Sequence, residues 1–464
     1  MINTKMIKSK QIHDPLYGSI RLTQIATAFV DNRFFQRLRR LKQLGVCDAV
    51  FPSATHTRFE HSIGTYHLAG LQLEEIRLNS DWEHLHHTLG CIDELAEYFK
   101  ENKKIELDQM IIEMVKIGAL CHDIGHGPFS HIFDDHFIRN SHLTDHPNAT
   151  HEDRSSLIIR LIVKESKYLN AIITDMMIRF IQNIVNPKKE HTGWIYQVVS
   201  NSLNSLDVDK YDYITRDCYH LGINTSFDYR RLIDGCIVIN NVICYPEQSV
   251  QDIYNLFATR HNLHRKAYGH KASIAFQYLI TDLMSVLDHP LGITDSIKDM
   301  DRFVRMSDQY VIQMMENIIL NPTMYNNMIT SNELIRLQEL STMYNTHTLY
   351  PHIGTLSTLI PCDIMDEYFT APQYIVFKNK IGFVSGNKLN PLDNIYVYKT
   401  KDQLNTDRKL NAIHIDKKDV THLIPSYYQE CLTMIFRRDC YKSKTPEETD
   451  REMFKKIKEK YNIF

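Results

Sequence analysis

Apolar positions in the first part of the chain recur at intervals of three and four residues, which is the helical period. Between residues 23 and 44 they are Ile25, Phe29, Phe34, Leu38, Leu41 and Leu44. This spacing predicts an amphipathic helix that is interrupted near Asp31 and Asn32 and is capped by Gly45. The same period predicts further helices over residues 62–78, 85–101, 107–124, 151–164, 168–185, 193–203, 207–216 and 250–287.

Strand-like patterns occur only in the later part of the chain. CIVINNVICY, at residues 236–245, alternates around Asn240 and Asn241, which tolerate the positive φ of a tight hairpin turn. YIVFKNKIGFVSG, NIYVYKT and AIHID, between residues 374 and 416, are also strand-like. Near the end, Thr445 as N-cap, Pro446 at the first helical position and Glu448 in a capping box predict a charged terminal helix.

These elements predict a mainly α protein with a large helical body and a smaller α+β lobe. The composition shifts from helical to mixed after about residue 330. We therefore expect two parts, residues 1–330 and residues 331–464.

Composition narrows the class of protein. The chain has 464 residues, 43% of them hydrophobic, which is enough for a large core. Its net charge of -3 gives no global basic field, so a nucleic-acid partner is not indicated. Nine cysteines are scattered without a CxxC pair, which predicts reduced thiols and an intracellular location, cytoplasmic or nuclear. We find no signal-peptide pattern and no apolar run long enough for a membrane span.

The segment CHDIGHGPFSH, at residues 121–131, follows the apolar helical run MIIEMVKIGAL. His122 and Asp123 lie about 100° apart around the helix end and can converge on one point. His61, at a helix start, and Asp209, in LDVDKYDYITRD, supply two further candidate donors. Two imidazoles and two carboxylates suit Fe, Mn, Co, Ni or Zn and are too rich in nitrogen for calcium. A chance His-Asp pair in an ordinary turn is the alternative.

Cationic residues accompany these candidate ligands. Arg58 precedes His61 by three residues, Lys210 follows Asp209, and Arg260 lies in ATRHNLHRKAYGHK. Guanidinium and ammonium groups recognise polyphosphates. Because Arg260, His264 and Tyr268 recur every four residues, they share one helix face, which could equally be a solvated basic surface.

The segments HTRFEHSIG, LCHDIGHGPFSH, DVDKYDYITRDCYHLGI and TRHNLHRKAYGHK occur in this order. Together they resemble the HD-domain deoxynucleoside triphosphate (dNTP) triphosphohydrolases, in particular the animal enzymes that combine a sterile-alpha-motif with an HD domain. The similarity extends from about Lys10 to Asp288 and continues weakly to the C-terminus. Because HDPLYG begins at His13, we expect no sterile-alpha-motif domain ahead of the catalytic part.

The resemblance implies an HD-domain helical metallohydrolase core with an N-terminal regulatory segment over residues 1–330 and an α+β lobe over 331–464. It implies that the metal is held by His61, His122, Asp123 and Asp209. Residues around the attacking water and the leaving oxygen would be His126, His131, Asp134 and His151. Phosphate contacts would come from Arg58, Lys210, Tyr213, Arg260 and His264. The sugar pocket would be formed by Gln43, Leu44, Asp217 and Tyr268.

The reaction implied is attack of water on the α-phosphorus of a dNTP, giving deoxynucleoside and triphosphate. Its cofactor would be a divalent transition metal (Fe, Mn, Zn, Co or Ni), with Mg²⁺ on the substrate phosphates as a further candidate. Either His126 or His131 could protonate the 5′-oxygen, and the sequence does not choose between them. The alternatives are an HD phosphodiesterase or nucleotidase and a non-catalytic nucleic-acid-binding HD protein.

The resemblance also implies regulation. GTP or dGTP would act as effector, and the chain would form a homo-oligomer, dimer or tetramer. The residues that match the effector sites are Lys10, Asp31, Gln36, Arg39, Arg231, His270 and Lys271. Alternatively, Arg37, Arg39, Arg40 and Lys42 simply solvate an amphipathic helix.

Two departures from the family pattern affect this expectation. His13 stands where the family has Asn, and YPEQSVQD, at residues 245–252, lacks an expected basic pair. Recognition of guanine through Asp31, Gln36 and Arg39 can therefore survive while the adjoining effector site, which His270 and Lys271 match, is weakened or altered.

Overall fold

A computed structural model describes residues 9–359, 362–382, 391–400, 411–415, 427–438 and 446–461. The described part is mainly α-helical, as predicted. Its helices are α1 (Gln24–Val30), α2 (Arg33–Gln36), α3 (Arg58–Asn79), α4 (Trp82–Gly90), α5 (Ala96–Asn102), α6 (Gln109–Cys121), α7 (His151–Glu165), α8 (Lys167–Asn170), α9 (Asp175–Val185), α10 (Trp194–Gln197), α11 (Val208–Leu221), α12 (Tyr229–Ile233), α13 (Val250–Leu263), α14 (Lys271–Leu291), α15 (Met300–Phe303), α16 (Asp308–Leu320), α17 (Ser331–Thr346), α18 (Ile364–Tyr368) and α19 (Pro446–Lys460).

The strands are few and short. They are β1 (Lys10–Asp14), β2 (Gly18–Leu22), β3 (Ile237–Ile239), β4 (Val242–Pro246), β5 (His352–Thr358), β6 (Tyr374–Gly382), β7 (Tyr396–Tyr398), β8 (Ile413–His414) and β9 (Gln429–Arg437). β1 and β2 form an antiparallel hairpin, β3-β4-β7-β8 form a mixed sheet, and β5-β9-β6 form an antiparallel sheet.

The predicted helices exist, but local caps divide several of them. The side chain of Asn32 accepts from the amide of Phe34, so α2 begins anew after the predicted interruption. Thr174 caps α9 in the same way, and His270 caps α14. The long helix predicted over residues 250–287 is therefore two helices, with a π-helical turn at His264–Tyr268 between them. The helix predicted over residues 193–203 is limited to α10.

The strand predictions were partly wrong. The hairpin of β3 and β4 is confirmed, with φ of 52° at Asn240 and 63° at Asn241. The β1–β2 hairpin contradicts the expectation that strands occur only later in the chain. Its strands, KQIHD and GSIRL, carry few apolar residues, and their pairing depends on the turn at Gly18, where φ is 70°.

The three-stranded sheet joins the smaller lobe to the helical body. Side chains in a strand alternate between the two faces of a sheet. Ile375 and Phe377 of β6 belong to the main core, whereas Val376 packs on a smaller cluster that includes Phe454 and Ile457 of α19. The sheet therefore lies between the helical body and α19.

The main apolar core includes residues on both sides of residue 330, from Ile20 to Phe436. The division into residues 1–330 and 331–464 stays a prediction. Residues 383–386 and Asp416 of the predicted strands, and the predicted N-cap Thr445, lie outside the described residues. Among the described helices, none combines the length and apolar content needed to cross a bilayer.

Candidate metal centre and substrate pocket

Four donor groups from three helices meet beside α3. His61 lies in the first turn of α3, His122 and Asp123 follow the last residue of α6, and Asp209 lies in the first turn of α11. The Nε2 atom of His61 is 3.2 Å from Nε2 of His122, 3.2 Å from Oδ1 of Asp209 and 3.4 Å from Oδ2 of Asp123. The Nε2 atom of His122 is 3.3 Å from Oδ1 of Asp209. The structure thus brings together all four predicted ligands.

These separations fit a single metal ion. Ligands held about 2.1 Å from one ion, at angles of about 90–110°, lie about 3.0–3.4 Å apart. Donor atoms of His61, His122 and Asp123 all lie within 4.8 Å of one another. A set of two imidazoles and two carboxylates suits a divalent transition metal and does not by itself choose which one.

The electrostatics of the cluster also favour a cation. Burial alone would lower the pKa of His61, but Asp209 and Asp212 outweigh it and raise this pKa to about 10. Burial would raise the pKa of Asp209, but His122 and His61 hold it well below its usual value. The two carboxylates therefore create a negative potential at the imidazole nitrogens, which a bound metal ion would neutralise.

A chain of buried partners orients His61. Its Nδ1 atom lies 2.7 Å from Oδ2 of Asp212, which directs Nε2 toward the other donors. Arg216 donates two hydrogen bonds to Asp212, at 2.9 and 2.8 Å, and a third to Asp14 of β1, at 2.9 Å. A Cβ atom at Gly64 would lie 1.9 Å from Asp212, so glycine is required there. Sequence reasoning missed Asp212, although it stands in DVDKYDY three residues after Asp209.

A second cluster of histidines adjoins the first. The rings of His126 and His151 are stacked 3.9 Å apart. Asp134 Oδ2 lies 3.3 Å from Nδ1 of each ring, and His126 Nε2 lies 3.3 Å from Asp123 Oδ1. Burial, followed by the charges of Arg58 and His151, lowers the pKa of His126 to about 4. His126 is therefore neutral at physiological pH.

His131 differs from His126 in its access to the pocket. The side chain of His131 is 65% exposed, whereas that of His126 is 1% exposed. His131 follows Phe129 and Ser130, whose φ values of 59° and 60° are rarely adopted by residues other than glycine. Asp308 stabilises this turn because its Oδ1 accepts from the Phe129 amide at 2.6 Å. Backbone strain of this kind concentrates at functional sites.

A cavity of about 960 Å³ opens in front of both clusters. His122, Asp123 and Asp209 contribute to its wall, together with His126, His131 and His151. It is also lined by every residue predicted to bind substrate, namely Gln43, Leu44, Arg58, Lys210, Tyr213, Asp217, Arg260, His264 and Tyr268. In the structure, these side chains therefore all face the same cavity.

The side chains predicted to contact the phosphates are oriented by hydrogen bonds and ion pairs with neighbouring residues. Arg58 is 1% exposed, forms an ion pair with Asp123 and donates to Ser130 Oγ at 2.8 Å. Lys210 Nζ lies 3.2 Å from Asp207. Arg260 donates to the Tyr213 hydroxyl at 3.1 Å and to the carbonyl of Gly382 at 2.7 Å. These cations face a cavity, which argues against a merely solvated basic face.

The predicted sugar pocket contains a buried network. Asp217 is 1% exposed and accepts a hydrogen bond from the Tyr268 hydroxyl. Its other oxygen lies 2.7 Å from Nε2 of His56, whose ring stacks on His220 at 4.3 Å. This network fixes the Tyr268 side chain in the cavity wall. Sequence reasoning missed His56, and only its position two residues before Arg58 hinted at a role.

The predicted effector residues lie outside the cavity wall. Lys10 and Asp31 form an ion pair with side chains 48% and 46% exposed. Arg39 donates to Gln36 Oε1 at 3.0 Å and lies over the ring of Phe59. Arg231 approaches Asp252 at 3.4 Å. His270 caps α14, which begins at Lys271. Among these residues the structure forms two small pairs, Lys10 with Asp31 and Gln36 with Arg39.

The alternative in which Arg37, Arg39, Arg40 and Lys42 simply solvate a helix is wrong for Arg37, which is fully buried.

Residues 58–217 match the HD domain family. This segment begins at Arg58, ends at Asp217 and includes all four predicted metal ligands. The match shows an HD domain, which is a hydrolase fold, and it agrees with the helical structure and with a donor cluster that could hold a metal ion.

Similar proteins define the family further. The chain is 38% identical over 457 residues to an HD domain-containing protein of Acanthamoeba polyphaga mimivirus, covering 94% of this chain and 95% of the relative. It is 30% identical over 468 residues to the deoxynucleoside triphosphate triphosphohydrolase SAMHD1 homolog of Dictyostelium discoideum, covering 98% and 82%. It is 30% identical over 482 residues to deoxynucleoside triphosphate triphosphohydrolase SAMHD1 of Homo sapiens, covering 92% and 70%. The chain belongs to the SAMHD1 family of HD-domain dNTP triphosphohydrolases, which confirms the predicted family and enzyme class.

Proposed function

We propose that this protein hydrolyses dNTPs to deoxynucleoside and intact triphosphate. The observation that carries the proposal is the single cavity in which the metal-donor cluster, three cations and the Asp217–Tyr268 network meet. The triphosphate and the deoxyribose of a dNTP then each have a chemical counterpart in the wall of the same space.

The cations support a triphosphate substrate. Arg58, Lys210 and Arg260 line the cavity from three different helices. Several cations around one space suit the multiple negative charges of a triphosphate better than the charge of a monophosphate or a phosphodiester. Mg²⁺ on the phosphates would compensate further charge. We therefore favour the triphosphohydrolase over the alternative HD phosphodiesterase or nucleotidase.

His61, His122, Asp123 and Asp209 would hold a divalent transition metal, which when bound lowers the pKa of a coordinated water. Arg58, beside Asp123, is placed to stabilise charge on the α-phosphate. The greater exposure of His131 in the cavity supports this residue as the one that reaches the 5′-oxygen. Burial and the charges of His126 and Arg58 lower the pKa of His131, so the negative phosphates of a bound substrate would have to raise it before His131 can donate a proton. His126, between Asp123 and Asp134, would then orient the neighbouring groups.

Selection of deoxyribose would come from the sugar pocket. Asp217 and Gln43 are proposed to bind the 3′-hydroxyl, while the ring of Tyr268 occupies the space of a 2′-hydroxyl. The bond from Tyr268 to Asp217 supports this role because it fixes the ring. A ribonucleotide would then be excluded because its 2′-hydroxyl clashes with the fixed ring, and not because it lacks a hydrogen bond.

Product analysis tests the reaction. Protein loaded with Mn²⁺, Fe²⁺ or Zn²⁺ is incubated with each dNTP, and the products are separated by anion exchange. Triphosphate with deoxynucleoside supports the proposal, whereas phosphate or pyrophosphate indicates a nucleotidase or phosphodiesterase. No turnover with any metal would favour a non-catalytic nucleic-acid-binding protein. A His122→Ala/Asp123→Ala variant is the control for a contaminating hydrolase.

We further propose regulation by GTP or dGTP through Lys10, Asp31, Gln36, Arg39, Arg231, His270 and Lys271. A carboxylate accepts from N1–H and the 2-amino group of guanine, and an arginine donates to O6. Support comes from the half-exposed Asp31 and from Arg39, which the Gln36 side chain orients. Adenine would leave the arginine without an acceptor, at a cost of roughly 1–3 kcal/mol.

Homo-oligomer formation, as dimer or tetramer, is part of this proposal. Within residues 320–335 the side chains of Leu320, Met324, Met328 and Ile335 are exposed. Exposed apolar side chains at this density favour a protein contact. Sedimentation of the protein with GTP, with ATP and with neither tests both ideas, and an oligomer and a rate that ignore all three would overturn the regulatory part alone.

An intracellular location, cytoplasmic or nuclear, completes the proposal. The thiols of Cys47, Cys91, Cys121, Cys218, Cys236, Cys244, Cys362 and Cys431 are all free. Free thiols at these positions are typical of a reducing compartment. Cys440 lies outside the described residues.

A further inference from the structure

Two buried arginines hold three consecutive carbonyl groups of the turn that carries His126. Arg37 Nη2 donates to the carbonyl of Ile124 at 2.8 Å and to that of His126 at 2.7 Å. Arg154 Nε donates to the carbonyl of Gly125, between them, at 2.7 Å. The turn is therefore bonded from two sides by side chains that are distant from it in sequence.

The burial of the Arg37 guanidinium is energetically unfavourable. Its side chain is fully buried, and among the described residues no carboxylate lies within salt-bridge distance of its guanidinium. Its hydrogen bonds go to backbone carbonyls, the third being that of Met306 at 3.1 Å. Burying a charge without a countercharge is unfavourable unless its hydrogen bonds compensate. A role in fixing the turn accounts for this arrangement better than a role in stability.

Arg154 connects three functional residues. It forms an ion pair with Oδ1 of Asp134, whose Oδ2 lies 3.3 Å from both His126 and His151. Its Nη1 atom donates to the carbonyls of Asn148 at 2.9 Å and Ala149 at 2.8 Å, just before α7 begins at His151. One side chain thus fixes the segments that carry all three residues.

The turn itself has little freedom. A Cβ atom at Gly125 would lie 2.2 Å from the carbonyl oxygen of His151 and 2.5 Å from the amide nitrogen of Ser155. Ser155 Oγ accepts from the Gly125 amide at 2.9 Å and donates to the carbonyl of His122 at 2.7 Å. The turn is packed directly on α7, and the hydrogen bonds from the two arginines restrict it further.

We propose that Arg37 and Arg154 are positioning residues that hold His126 and His151 in register with the metal ligands. Both guanidinium groups lie over the ring of Phe303, at 4.5 and 5.2 Å, which fixes their planes. The kinetic part of this inference rests on the proposed hydrolase function. The inference about side-chain position does not.

The test uses the variants Arg37→Lys and Arg154→Lys, which keep the charge but lose the forked donor geometry. We expect kcat to fall by roughly ten- to a hundredfold because a displacement of about 1 Å has this effect on catalysis. KM and metal content should stay within about twofold, since the phosphate and metal contacts are separate. Arg33→Lys, at an exposed arginine of α2, and Arg160→Lys, at a partly exposed arginine of α7, are matched controls.

NMR of histidine-labelled protein separates this inference from the proposed function. The imidazole signals of His126 and His151 should shift or broaden in both lysine variants and stay unchanged in both controls. Protein that never hydrolyses dNTPs but shows these shifts would remove the proposed function and keep the positioning role. Unchanged signals together with wild-type kcat would overturn the positioning role.

Phe303→Leu tests the same inference if the lysine variants do not fold. It removes the ring under both guanidinium groups but leaves their hydrogen bonds in place. It should lower kcat several-fold and shift the same two imidazole signals. A folded Phe303→Leu protein with wild-type kcat and signals would overturn the inference.

Discussion

Charged side chains of the catalytic pocket and of the predicted effector surface are paired in different ways. In the pocket, Arg58 and His61 are almost completely buried and each has a buried carboxylate partner. At the effector surface, Lys10 and Asp31 pair with one another while about half of each side chain remains in water. Water screens the second pair, whereas the first lies in a medium of low dielectric constant.

The two regions differ in how far their side chains are held in place before a ligand binds. Much of the pocket is preorganised within one chain, because Arg58, His61 and Asp217 are each oriented by another buried group before any ligand binds. The effector residues form separate exposed pairs that a ligand or a second copy of the chain would have to join. Substitutions in the pocket should therefore have large, local effects, and those at the effector surface smaller effects that depend on ligand and salt.

The largest effect is expected for the metal ligands. Asp209→Ala and the double variant His122→Ala/Asp123→Ala should lose bound transition metal and activity together. Their metal affinity should fall by more than the roughly 10- to 100-fold that follows loss of a ligand's hydrogen-bond partner. Elemental analysis after dialysis measures this, with Asp175→Ala, an exposed carboxylate of α9, as control. Full metal content in either variant would contradict the ligand assignment.

A somewhat smaller effect is expected for Asp212→Asn, which weakens the orientation of His61. Metal affinity should fall roughly 10- to 100-fold, because the substitution removes the charge beside Nδ1. Competition with a chelator of known affinity measures the metal affinity of each variant. Asp14→Asn, two steps further along the same chain of partners, should change the affinity less. Equal effects of the two variants would mean that the network acts only through overall stability.

Tyr268→Ala should relax the exclusion of ribonucleotides. The ratio of kcat/KM for dNTP over the matching ribonucleotide should fall about tenfold or more, the range for adding space to a selective pocket. Tyr268→Phe keeps the ring and loses only the bond to Asp217, so it should keep most of the selectivity. If the alanine variant excludes ribonucleotides as strongly as the wild type, discrimination lies elsewhere.

At the effector surface, Asp31→Ala should weaken activation by GTP about tenfold while leaving metal content unchanged. The reason is loss of the acceptor for the guanine N–H groups. Sedimentation and the rate at rising GTP concentration measure it, and Glu367→Ala, an exposed carboxylate of α18, is the control. A GTP response that survives in Asp31→Ala would remove this residue from the effector site.

The smallest effect is expected for Lys10→Ala. An exposed ion pair contributes about 0.2–1 kcal/mol, so the concentration of GTP for half-activation should change by no more than about fivefold. The change should shrink further at 0.5 M salt, at which surface charges are screened. A large change that is insensitive to salt would mean that this surface becomes buried when the effector binds.

Much of the fold and of the site was predictable from local patterns. The helical period located the helices that carry the proposed metal ligands, and Asn240-Asn241 located a hairpin. Helix ends were less predictable, because single capping side chains such as Asn32 divided continuous apolar patterns. The β1–β2 hairpin was missed, since its strands are largely polar and the hairpin is held in place partly by the bond from Arg216 to Asp14.

Taken alone, the sequence determined the chemistry: two imidazoles and two carboxylates in motifs that end or begin helices, with cations nearby. Only the tertiary structure decided which further residues support them. Asp212, His56, Arg37 and Arg154 lie 29 to 161 positions from their partners His61, Asp217, Ile124 and Gly125. A local pattern reports the period and the caps of one element. Contacts between elements that are distant along the chain exist only once the core has packed, so no local pattern contains them.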